Sequence, residues 1–410
     1  MLDRNESSCI DNAKPIKISF LGDIMCESPL LKAAFVDGGY NFEGVFEGLE
    51  SLFESSDYVV GNLETPLAGR KLKYTDSMYS FNSPEEFGLS VKRCGVDLVL
   101  TANNHCCDRG IEGLRRTIDA LDRLGLSHTG TFKDSEVNSP FIVEVKGSRF
   151  AFVSCTASTN ANRTKCAPTL LNVNLLDEQS VTLDAGLIVR LKTGIVRHLI
   201  GEERYAKHRK KKGLTPKKIS VDNSIDKTRV DLYLDNIAGQ VRKVQKEADY
   251  VFVCPHMGGQ FNETPGLFSE YVMDCLSKLG VSGVVSSHPH VVQKCELING
   301  VPCAFSLGNV SMSLSTPYVV RDNMPECGIV LHFYCLDGAI QKITITPTKI
   351  IEEDNGYLRV ETYSALFACA EDHERGQLVD EYRRILRVVG SLDYEIEASG
   401  LPEEILLFEF

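Results

Sequence analysis

The stretch Gly283–Gln293, GVVSSHPHVVQ, is the part of the chain from which the rest can be placed. A short apolar, β-branched run leads into a Ser-Ser turn, which reads as a buried strand reaching a sheet edge. Behind the turn stand His288 and His290, with Pro289 between them fixing φ. Such a strand delivers two imidazoles side by side, and imidazole is the commonest metal-binding side chain. The same letters also suit a polar loop carrying two unrelated histidines. The ends of the other strands separate these readings.

Ile16–Leu21 is a strand pattern that runs into Gly22-Asp23. Asp57–Leu63 runs through Asn62 to Glu64, and Asp97–Thr101 leads to Asn103, Asn104 and His105. Tyr250–Cys254 leads to His256, and Pro302–Leu307 to Gly308-Asn309. Each has an ordinary alternative: an Asp capping the next helix, or a histidine satisfied within the core. Ligand-type residues at so many strand ends argue against unrelated caps, because α/β proteins place ligands at the carboxyl edge of their sheets. Leu114, Ile118, Leu121 and Leu124 keep helical spacing after Gly110, as do Val230, Leu234, Ile237, Val241 and Val244. Leu267–Leu279 is a further helix. Strands alternating with helices predict an α/β fold. Hairpins are expected for Phe141–Val145 with Arg149–Cys155, and for Gly328–Cys335 with Ile340–Ile350.

The chain has 410 residues, 43% of them apolar, so a large core is available. A net charge of −12 argues against a general nucleic-acid binder. The fourteen cysteines include no C-x-x-C pair and read as reduced, buried thiols. Cys106 and Cys107, beside a candidate site, are read as packing thiols. The N-terminus shows no signal-peptide core, and no apolar run is long enough to span a membrane. A cytoplasmic location is expected. Leu187–Ile200 looks partly helical, and Lys207–Lys218 carries seven Lys or Arg. That block is either a solvated loop or a clamp for an anionic substrate. Residues 158–228 are read as a basic insertion in a domain over 14–350, and 351–410 as a helical C-terminal extension. Leu401–Phe410 is read as docking on the domain or on a second copy in a homo-oligomer.

Asp23, Glu64, Asn104, His256, His288 and His290 together offer carboxylate, amide oxygen and imidazole. Two divalent cations need this mixture. His105 is the natural group to protonate a leaving group.

Gly-Asp-Ile-Met at 22–25, Asn-Leu-Glu at 62–64, Asn-Asn-His at 103–105, His256 with Gly258-Gly259, Ser-His-Pro-His-Val-Val-Gln at 287–293 and Phe-Ser-Leu-Gly-Asn at 305–309 resemble the signature set of the CapA family. That family is named for poly-γ-glutamate capsule synthesis and is similar to calcineurin-like metallophosphoesterases. The resemblance implies a four-layer αββα sandwich of two mixed sheets. It implies one ion (Mn, Zn or Fe) on Asp23 and His290 and a second on Asn104, His256 and His288. Glu64 would lie near both, and His105 would be catalytic. Asn62, Asn103 and Asn309 are candidate substrate-binding amides. Met25 and Asn62 stand where metallophosphoesterases carry His and Asp, and Gln260 where the family often has Glu. The expected activity is hydrolysis, or acyl or phosphoryl transfer, on a phosphorylated or γ-glutamyl substrate, with an amide ligase or synthase as partner. The alternative is a non-catalytic accessory protein that binds an anionic polymer or a synthase subunit.

Overall fold

The computed structural model describes residues 14–133, 140–181, 201, 204, 219–391 and 400–410. Leu187–Ile200 and the basic block Lys207–Lys218 fall outside the described residues. Two mixed sheets form the body. The larger holds β1 (Ile16–Ile24), β2 (Tyr58–Leu63), β3 (Leu98–Leu100) and β4 (Ser127–Thr129), which pair in parallel. The smaller holds β5 (Phe141–Val145), β6 (Ser148–Thr156), β7 (Tyr250–His256), β8 (Gly283–Val285), β9 (Cys295–Ile298) and β10 (Val301–Ala304), in the order β9-β10-β8-β7-β6-β5. The larger sheet is completed by β11 (Asn309–Ser311), β12 (Cys327–Leu336), β13 (Ala339–Glu352), β14 (Leu358–Thr362) and β15 (Ile405–Glu409).

All nine residues of β1 are buried, as befits a central strand covered on both faces. Phe20 points from it into the space between the sheets. Its ring centroid lies 5.0 Å from Phe252, 5.5 Å from Phe333 and 6.1 Å from Phe152. Tilted and edge-on pairs of this kind stabilise by about 0.5–1.5 kcal/mol each beyond their buried area. On the outer face of the larger sheet, Leu30, Phe46, Phe87, Val91 and Leu121 join one apolar layer. On the outer face of the smaller sheet, Val230, Ile237 and Val241 of helix Lys227–Val244 join Val272 and Leu276 of helix Leu267–Ser277.

Two expectations need correction. Residues 351–410 are not simply a helical extension. Leu358–Thr362 and Ile405–Glu409 both pair with β13, and Leu401 and Ile405 are buried in the inter-sheet core. Helix Asp372–Val389 covers the same core with Leu378, Tyr382, Ile385 and Val389. The second concerns residues 158–228, whose described ends are woven into the body. Val173 and Leu175 are buried and bridge to Thr131 and Thr156, and Ser220 N donates to Gln260 O at 3.0 Å.

The parallel pairing aligns the strand ends. Asp23 is level with Asn62 on one side and with Asn309 on the other. In the smaller sheet His256 bridges to Ser287. The carboxyl ends of both sheets therefore open on one edge.

Candidate metal centre

Asp23 is the penultimate residue of β1, where the register shifts, and is fully buried. Asn62 Nδ2 donates to its Oδ1 at 2.7 Å, and the His288 backbone N donates to its Oδ2 at 3.2 Å. His290 Nδ1 lies 3.2 Å from the same Oδ2. Burial opposes ionisation of Asp23, but hydrogen bonding and charge from His290, with help from His256 and Asn62, hold its carboxyl well below the usual range.

Glu64, just past β2, behaves oppositely. Its side chain is fully buried, and neither carboxylate oxygen has a hydrogen-bond partner. Three imidazole nitrogens face Oε1: His256 Nε2 at 3.5 Å, His290 Nε2 at 3.7 Å and His105 Nε2 at 3.9 Å. Burial, then the charge of Asp23, push the Glu64 carboxyl well above its ordinary range. A buried carboxylate without donors is costly, and a cation held among these groups would offset that cost. Donor separations of this size match the edges of a coordination shell with bonds of about 2.0–2.2 Å.

The remaining donors converge on the same space. His256 Nε2 is 2.9 Å from Asn104 Oδ1 and 3.0 Å from His288 Nδ1. Ser287 Oγ meets His256 Nδ1 at 2.9 Å and fixes the ring from behind. Burial, with His290 nearby, pushes His288 down to about 3. Burial, with His288 nearby, pushes His256 well down too. Both rings thus stay neutral and keep a lone pair to offer. His288 and His290 have positive φ, 108° and 58°. Such strain costs of order 1–3 kcal/mol per residue and is held where function requires it.

Two overlapping triads have ligand atoms close enough for one ion each: Glu64 with His288 and His290, and Asp23 with Glu64 and His256. Glu64 is common to both. This grouping crosses the implied pairing of Asp23 with His290 and of His256 with His288, although those pairs are also in contact.

The turn after β3 carries His105. Cys106 and Cys107 bury into an apolar cluster with Leu114, Ile118, Val173 and Leu175, which turns Asn104 and His105 towards the site. His105 Nδ1 meets Asp108 Oδ2 at 2.6 Å, and Phe81 N donates to that oxygen at 2.6 Å. The Phe81 ring lies 4.2 Å from the imidazole. Asp108 was not singled out from the sequence. The available signal was its place three residues after His105.

The three candidate substrate amides are buried and engaged. Asn62 holds Asp23. Asn103 Nδ2 donates to Leu63 O at 2.8 Å, and its Oδ1 accepts from His105 N at 3.1 Å. Asn309 Nδ2 donates to His290 O at 2.9 Å, and its Oδ1 meets His290 Nδ1 at 3.0 Å. All three position other site residues. Met25 packs in the apolar core. No helix among the described residues is long and apolar enough to cross a membrane.

The family model for bacterial capsule synthesis protein PGA_cap matches residues 17–313. The chain is 22% identical over 295 residues to the PGA biosynthesis protein CapA of Bacillus subtilis, covering 72% of this chain and 62% of that protein. It is 24% identical over 346 residues to the capsule biosynthesis protein CapA of Bacillus anthracis, covering 80% and 70%. The chain thus spans less than two thirds of the Bacillus subtilis relative. A solved structure, GAP50, the anchor in the inner membrane complex of Plasmodium, aligns over 95% of this chain and 100% of its own at 10% identity. Its TM-score of 0.33 is too low to carry an argument.

Proposed function

The chain belongs to the bacterial capsule synthesis protein PGA_cap family, and we propose that it is a metal-dependent hydrolase or transferase. Its substrate would be carboxylate-rich, of γ-glutamyl type, or phosphorylated, in the handling of a poly-γ-glutamate or capsule polymer. The observation that supports this is Glu64: a buried carboxylate with no hydrogen-bond donor, faced by three imidazoles. Asp23, Glu64, His256, His288, His290 and Asn104 would hold two divalent ions. Ions so held supply Lewis acidity towards a carbonyl or phosphoryl oxygen.

The chain's own residues do the rest. Asp108 accepts the Nδ1 proton of His105, fixes the tautomer and leaves Nε2 facing the site. His105 Nε2 can then take up a proton, with Asp108 balancing the imidazolium charge, and pass that proton to a leaving group. Asn62 and Asn103 hold Asp23 and the His105 turn still, so that the donors need little rearrangement. The four-layer metallophosphoesterase architecture is part of this reading, supported by apolar layers on the outer face of each sheet and between them. So are a cytoplasmic location and an amide ligase or synthase partner.

The test is metal content and turnover together. Purified protein should contain about two ions per chain, and His288→Ala and His290→Ala should lose them. Turnover of a γ-glutamyl oligomer or a phosphodiester with Mn²⁺ should vanish in His105→Ala. Full metal content in both ligand variants would overturn the assignment. A second reading, a non-catalytic binder, is favoured by Met25, which lies in the core where metallophosphoesterases place a ligand. Metal binding without turnover would select it.

A further inference from the structure

Arg163 lies in the short helix Ala161–Thr164. Just before that helix, Asn160 takes a left-handed backbone and its Nδ2 donates to Asn104 O at 2.8 Å. The segment bearing Arg163 is thereby tied to the ligand turn. The Arg163 guanidinium lies 4.9 Å over the Tyr79 ring, and its Nη1 donates to the Tyr79 carbonyl at 2.9 Å. No carboxylate pairs with it among the described residues. Arg109 offers the contrast, since its donors go to Leu72 O, Lys73 O, Asp108 O and Ser80.

From Tyr79 a row of rings leads inward. Tyr79 is 5.4 Å from Tyr318, Tyr318 is 6.2 Å from Phe261, and Phe261 is 5.7 Å from His290. Arg163 thus stands at the outer end of an aromatic wall whose inner end is a candidate ligand. It is exposed, sits over the Tyr79 ring, and makes no hydrogen bond at Nε or Nη2 among the described residues, which leaves both to face a ligand. A guanidinium held on a ring face loses little freedom on forming a two-point bond to a carboxylate.

We propose that Arg163, stacked on Tyr79, is a specificity residue that receives a substrate carboxylate remote from the reacting bond. The substrate class this selects is a γ-linked polycarboxylate chain rather than a simple phosphate ester. The inference rests on the reading of the chain as a polymer-directed enzyme and adds the group that recognises the polymer.

The test uses the full chain with Mn²⁺, labelled tetra-γ-glutamate, and the same oligomer with its free α-carboxylates converted to amides. Fluorescence anisotropy should show wild type preferring the acid form by about tenfold. Arg163→Gln should abolish the preference, and Arg163→Lys should retain part of it, which a merely structural role would not produce. The proposal is overturned if wild type binds both forms equally or if Arg163→Gln keeps the preference. Loss of the preference in Arg163→Gln without turnover of any γ-glutamyl substrate would leave the subsite standing and remove the enzyme reading. Turnover with a KM unchanged in Arg163→Gln would do the reverse.

Discussion

Glu64 Oε1 stands 3.5 Å from His256 Nε2, yet neither Glu64 oxygen has a hydrogen-bond donor. Another buried acid is fully supplied. Glu27, also buried, accepts from Tyr318 Oη and Ser313 N, both at 2.5 Å. Glu64 lies where four imidazoles gather, and a cation shared among them would supply the partner.

Glu64→Gln separates the two states of the site. It keeps the shape and removes the desolvated charge. Without metal the variant should be more stable than wild type by about 1–3 kcal/mol. With Mn²⁺ the order should reverse, because one shared ligand has lost its charge. Thermal unfolding with and without Mn²⁺ measures this. Equal shifts under both conditions would contradict a metal role for Glu64.

Asp108→Asn tests the His105 pair. The amide oxygen can still accept from both Phe81 N and His105 Nδ1, but it carries no charge, so an imidazolium at His105 is no longer balanced. We expect kcat to fall by about 10²-fold or more, with metal content unchanged. The double variant with His105→Ala should be no worse than His105→Ala alone, since the two act as one unit. Additive losses would show that Asp108 acts elsewhere.

Glu404 gives a pH dependence away from the site. It accepts from Lys17 Nζ at 2.9 Å, Tyr334 Oη at 2.5 Å and Thr344 Oγ1 at 2.6 Å. Burial works against its charge, but Thr344, Tyr334 and Lys17 pull it from 4.5 down to about 2. The folded pKa is below the unfolded one, so the stabilisation is present above 4.5 and is lost as pH falls towards 2. Glu404→Gln should cost about 1–3 kcal/mol near neutrality. The gap to wild type should close on acidification, which urea titrations across that range would show.

The sequence marked Asp23, Glu64, Asn104, His105, His256, His288 and His290 because each follows an apolar run that sets its own end. Local pattern suffices for that. Roles that depend on register were not legible. Asn62 and Asn103 look like free amides in the sequence, but strand alignment aims them at Asp23 and the His105 turn. Asp108 needed the compact turn, and Asn160 reaches Asn104 across 56 residues. β14 and β15 were missed because their partner, β13, is chosen by tertiary packing rather than by neighbours in sequence.

Gly22→Ala tests how tightly Asp23 is placed. A Cβ at Gly22 would lie 2.0 Å from Gly308 O, the carbonyl that accepts from Asp23 N at 3.0 Å. Backbone cannot step aside as a side chain can. The variant should lose about 1–3 kcal/mol and bind Mn²⁺ more weakly, because Asp23 must retreat. Normal metal affinity in a folded variant would show that Asp23 has slack.

Asn62→Asp restores the carboxylate that metallophosphoesterases carry at this motif, and its effect should change sign with metal. The Asn62 amide donates to Asp23 Oδ1 at 2.7 Å, and its Nδ2 lies 3.3 Å from His256 Nδ1. Replacing that donor by a carboxylate sets two like charges against each other in a buried site. The metal-free variant should therefore lose about 1–3 kcal/mol. Two divalent ions beside it would convert the repulsion into an added anionic ligand, so Mn²⁺ affinity should rise above wild type. Calorimetric titration with Mn²⁺, paired with unfolding of the metal-free protein, measures both. Destabilisation of the same size with and without metal would mean that position 62 faces only Asp23 and not the ions, and Asn62 would then be a positioning group in this family member.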